Sequence, residues 1–182
     1  MSNAEAAQLI LMYGLIPLWV AAGFADWFCH RASAIEKNSG LRENAFHWLL
    51  MAQVGCALLA IALLEVNAAI LLLVFAAFLA HEATTYVELR YTVALRAVRP
   101  FEQMVHSFME LLPLAALTLL AVMEWDQALA LFGEGRPDFD LMPKKQPWPP
   151  AYLLCGLGSV VLFSLLPLTE ETWRCWRAAE PA

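Results

Sequence analysis

The chain has 182 residues, 61% of them hydrophobic and only 15% charged, with a formal net charge of -6. That proportion excludes an ordinary soluble domain, and nothing in it resembles the basic surface of a nucleic-acid binder. The apolar residues come in blocks near the length of about 20 that crosses a bilayer, so the expected fold is an all-α integral membrane protein with one transmembrane domain.

The first expected helix covers about residues 7–29 and is too long and too rich in Trp and Tyr for a cleavable signal. It ends at Asp26 and His30, and Arg31, Lys37 and Arg42 follow it. The second, about 46–65, opens with Glu43 just ahead of it and His47 within it. Only Glu65, Val66 and Asn67 separate it from the third, about 67–88, which makes the two antiparallel neighbours. His81 and Glu88 stand near the end of that third helix, and a turn with Arg90, Arg96 and Arg99 leads to Pro100, which suits the first turn of a fourth helix over about 101–124. This fourth helix carries Glu102, His106 and Glu110. An irregular external loop is expected over about 125–149 from its glycines and prolines, then a fifth helix over about 150–168 and a tail with Arg174 and Arg177. Trp125, Trp148, Trp173 and Trp176 fall where indoles anchor at an interface.

The basic segments after the first, third and fifth helices place the N-terminus outside and the C-terminus in the cytoplasm of a bacterial-type inner (plasma) membrane. All four histidines then lie within roughly 10 Å of the inner interface, at a rise of about 1.5 Å per residue. Each shares a helix face with a carboxylate: Asp26 precedes His30 by four, Glu43 precedes His47 by four, Glu102 precedes His106 by four, and Glu88 follows His81 by seven. Four helices are therefore expected to form an antiparallel bundle around a polar His/carboxylate interior, with the fifth helix peripheral. A weak internal repeat, a His before each cytoplasmic turn and Glu-x-x-x-His after it, suggests twofold symmetry in that bundle.

A charged side chain at membrane depth costs about 2.5 kcal/mol or more, so intramembrane ionisable groups pair, face a cavity or bind an ion. The expected ligands of a dinuclear centre are Asp26, His30, Glu43, His47, His81, Glu88, Glu102 and His106, with Glu110 as a proton relay or catalytic base and Glu82 as an alternative to Glu88. Mixed imidazole and carboxylate donors suit two divalent ions, iron first and zinc or manganese as alternatives, and disfavour calcium or magnesium. In donor types and helix count the chain is similar to the di-iron carboxylate proteins, whose Glu-x-x-His pairs sit on four helices. The spacing here is Glu-x-x-x-His with one histidine per helix, so no residue role carries over.

The function expected is a di-iron oxidoreductase acting on a lipid or quinone-like substrate that enters between helices from the bilayer. A zinc-dependent membrane hydrolase, a bis-His haem b electron-transfer protein and a non-catalytic metal sensor or transporter are the alternatives. Cys29, Cys56, Cys155 and Cys175 show no Cys-x-x-Cys spacing and indicate neither a zinc ribbon nor a redox pair.

Overall fold

The computed structural model describes residues 1–180. Five helices are long and apolar enough to cross a membrane: α1 (Asn3–Ser33), α2 (Gly40–Leu63), α3 (Ala68–Thr92), α4 (Pro100–Met123) and, after a short α5 (Trp125–Ala130), α6 (Pro150–Ala179). Among the described residues there is no strand, only an isolated bridge between Leu64 and Pro143. The first and fifth long helices run well past their expected limits, because the polar residues at their ends continue the helical turn beyond the apolar block.

Local chemistry explains the helix ends. Ser2 and Glu5 form a reciprocal capping box at the start of α1. Ala34, in the left-handed region at φ 53, ends that helix, and Gly40 at φ 59 turns the chain into α2. Asn67 caps α3 by accepting from the Ile70 N–H, and Pro100 occupies the first position of α4. Both α1 and α6 widen into a π turn, at Leu11–Leu15 and Val161–Leu165, and in each a proline follows two residues later, Pro17 and Pro167. Proline lacks an N–H and crowds the carbonyl four residues back, and a widened turn relieves that crowding without breaking the helix.

Contacts run in a closed cycle, α1 against α4, α4 against α3, α3 against α2, α2 against α6, and α6 against α1. The fifth long helix is therefore not peripheral; it closes the wall between α1 and α2. Its side chains explain this: Trp27 and Trp48 donate to Glu170 and Thr172 of α6, and Arg31 pairs with Glu170 at 2.7 Å. Away from the histidines the interior is apolar, with Leu11, Met12, Ile61, Ile70, Val74 and Leu120 at its centre. Many large apolar side chains face outward instead, among them Leu59, Leu63, Leu111, Leu154 and Leu157.

The expected irregular loop begins with α5 and then folds back over the α2–α3 turn. The Glu65 N–H donates to Met142 O, the Ala69 N–H to Asp138 O and the Asn67 side chain to Asp140 O. Trp148 is buried there beneath Lys144 and beside Tyr152, so it is a core residue of this end and not an exposed anchor.

Candidate metal centre

The four histidines do converge at the end of the bundle opposite the loop. Asp26 and His30 lie one turn apart on α1 and face inward, with His30 Nε2 at 3.4 Å from Asp26 Oδ2. The other oxygen of Asp26 lies 2.9 Å from His106 Nε2 on α4, so one carboxylate stands between two imidazoles. On α2, His47 Nε2 is 3.0 Å from Glu88 Oε1 of α3. Asp26 and His30 meet within α1 as their spacing implies, but His47 and His106 pair with carboxylates of other helices, although the sequence spacing pairs each with one of its own.

The largest departure from expectation is Glu171 on α6. It is fully buried, and its two oxygens meet His47 Nδ1 at 2.6 Å and His30 Nδ1 at 3.1 Å. Asn44 donates a third hydrogen bond to the same carboxylate at 2.9 Å and is itself held by the Thr172 hydroxyl. The two imidazoles bound to this one group stack face to face, with ring centroids 4.3 Å apart and planes within 4°. Glu171 escapes a search built on histidine spacing because no histidine lies on its helix. The signal available was cost: a Glu-Glu pair closely following an apolar run needs partners at that depth.

Glu43 and Glu102 also lie in the interior, but their oxygens are engaged by Arg96. The guanidinium reaches Glu43 at 2.6 and 3.3 Å and Glu102 at 2.6 and 3.1 Å, and its side chain is only 5% exposed. Burial opposes the charge on Arg96, yet the hydrogen bonds to Glu102 and Glu43 outweigh burial and hold its pKa above the usual value. Read from sequence, Arg96 is one of several topogenic charges; in the fold it turns inward and ties the loop before α4 to α2. Glu43 nevertheless remains grouped with His30 and His47, their donor atoms all within 4.8 Å of one another, and Asp26, His30 and His106 form a second such group.

His81 is buried beside Thr85, and its Nδ1 has no hydrogen-bond partner among the described residues. Together with Asp26, His30, His47, Glu88, His106, Glu110 and Glu171 it borders a cavity of about 140 Å³, whose remaining wall is largely apolar, with Trp19, Leu50, Met51 and Leu168. Glu82 does not border it. The two sequence halves also differ: Asp26 precedes His30 by four, whereas Ala77 holds that place before His81.

No protein-family model, curated protein or solved structure matches this chain. Its chemistry is therefore argued from these residues alone. The two groups of His, Asp and Glu bring nitrogen and carboxylate-oxygen donors within 4.8 Å of one another, a set that could hold a metal ion.

Proposed function

We propose that this chain is a multi-pass membrane protein that holds two transition-metal ions near its cytoplasmic face and acts as an oxidoreductase on an apolar substrate. Five apolar helices with outward-facing Leu and Phe side chains support insertion in a bilayer, since a water-facing surface of this kind would associate. The basic residues beside the histidine end support its placement on the cytoplasmic side.

One observation carries the metal assignment. A carboxylate only accepts hydrogen bonds, so Glu171 takes the Nδ1–H of both His30 and His47, and in the neutral rings that a metal binds an Nε2 lone pair is left on each. Those lone pairs face more acceptors: Asp26 and Glu102 lie 3.4 and 3.8 Å from His30 Nε2, and Glu88 lies 3.0 Å from His47 Nε2. Acceptor set against acceptor calls for a cation between them, a proton on each ring or a metal ion, and the donor set suits the metal. Because the rings are parallel and 4.3 Å apart, their lone pairs point to two places and not one, close to the separation of about 3.5–4 Å found in two-metal sites.

One ion is assigned to His30, His106 and Asp26, the other to His47 and Glu88 with His81 on the same cavity. Glu43 and Glu102 hold Arg96 behind them. Iron would supply one-electron and oxygen chemistry. The chain's own contribution is to orient the imidazoles through Glu171, to exclude water with Trp19, Leu50 and Met51, and to carry protons on Glu110 at the cavity wall.

Elemental analysis and an absorption spectrum of the detergent-purified protein test this. The expected result is about two irons per chain without a haem band, falling to one or none in His47→Ala and His106→Ala. Two zincs would keep the centre and replace oxidation by hydrolysis. A haem band, or unchanged metal content in both variants, would overturn the assignment.

A further inference from the structure

A second cavity of about 50 Å³ lies deeper in the bundle and shares Trp19, Leu58 and His81 with the first. His81 is the one ionisable residue on its wall; the rest is aliphatic or aromatic, and runs to Leu11, Ile61 and Val74 of the apolar core. The two spaces therefore adjoin at His81, with the histidines and carboxylates on one side of it and only apolar residues on the other. From His81 to Val74 the second space follows α3 for about 10 Å, at 1.5 Å per residue.

We infer that the two cavities form one binding site for a slender single-chain amphiphile, its polar group among the histidines and its tail passing His81 into the core. This rests on the metal reading only for the polar end. Size decides the substrate class: a cavity of about 150 Å³ takes one benzene ring, so the two spaces together hold about eight carbons. With its polar group among the histidines, a single alkyl chain of medium length fills the two spaces. The apolar stretch has no group to retain water, so an alkyl tail meets no competitor there.

The test uses the metal-loaded protein in nanodiscs and an octan-1-ol bearing a diazirine at its far end. After irradiation, the expected label falls on the segments 74–78 and 112–116, and unlabelled octan-1-ol displaces it at least tenfold better than hexadecan-1-ol at equal mole fraction. Ala77→Phe or Ala116→Leu, each filling the second cavity from a different helix, should reduce that labelling at least tenfold while metal content stays unchanged. Label confined to outward residues such as Leu154 and Leu157, or undiminished in both variants, would overturn the inference. Core labelling in a protein that binds no metal would leave the inference standing and remove the metal centre.

Discussion

The two ends of the bundle bury polar groups in opposite ways. At the loop end most such groups meet a complement: Asn67 accepts from Ile70 and donates to Asp140 O, and Lys144 donates to the carbonyls of Ile61 and Leu64. Glu65 accepts from the Lys145 N–H. Donors there meet protein acceptors, apart from the buried Trp148 Nε1–H, which has none among the described residues. At the histidine end, Asp26, Glu88 and Glu171 surround imidazoles that, when neutral, carry too few protons to satisfy them all. The comparison teaches that buried polarity can serve closure at one end and leave room for a cation at the other, and that counting donors separates the two cases.

The largest effect is expected from Arg96→Met. It removes the one guanidinium that neutralises Glu43 and Glu102 and leaves two buried carboxylates uncompensated, a loss on the order of 3–5 kcal/mol. Unfolding in mixed micelles, followed by circular dichroism with denaturant, measures it. If added metal restores most of the loss, Glu43 or Glu102 has become a ligand, and the boundary between the ion pair and the metal centre shifts.

Glu171→Gln should matter next. The amide keeps the shape but offers a donor where one of the two Nδ1–H groups now finds an acceptor, so one ring must turn or change tautomer. Loss of such an outer carboxylate lowers metal affinity by about 10–100-fold. Competition with a chelator reads the affinity, and nitrogen chemical shifts of labelled histidine read the tautomer. Unchanged shifts at both rings would show that Glu171 does not orient them, and Glu171→Asp should recover part of the affinity. The loop end should not respond to this change.

The smallest effect belongs to Asn67→Ala. It removes the cap of α3 and the bond to Asp140 O, with an expected loss of about 1 kcal/mol. Hydrogen exchange at the Glu65, Ala69 and Ile70 amides should quicken while metal content stays at its original value. Loss of metal in this variant would mean that the two ends are coupled, against the comparison above.

Much of the fold is legible in the chain. Apolar block length sets the number of helices, Asn67 and Pro100 mark where two of them begin, and the placement of His30, His47, His81 and His106 toward one end follows from a rise that every helix shares. Those are local properties, governed by the backbone and by the residues within a turn or two. Which carboxylate meets which imidazole is not local. Asp26 serves His106 80 positions away, Glu171 serves His30 141 positions away, and Arg96 turns inward to Glu43. Facial spacing along one helix shows only that a pair points the same way. The partner is chosen by the order in which the helices close on one another, and α6 enters that order through contacts its apolar sequence does not announce. The sequence by itself determined the helices and the kinds of donor toward one end; the tertiary structure alone decided their pairing, because burial makes each charged group take the nearest complementary atom whatever its distance along the chain.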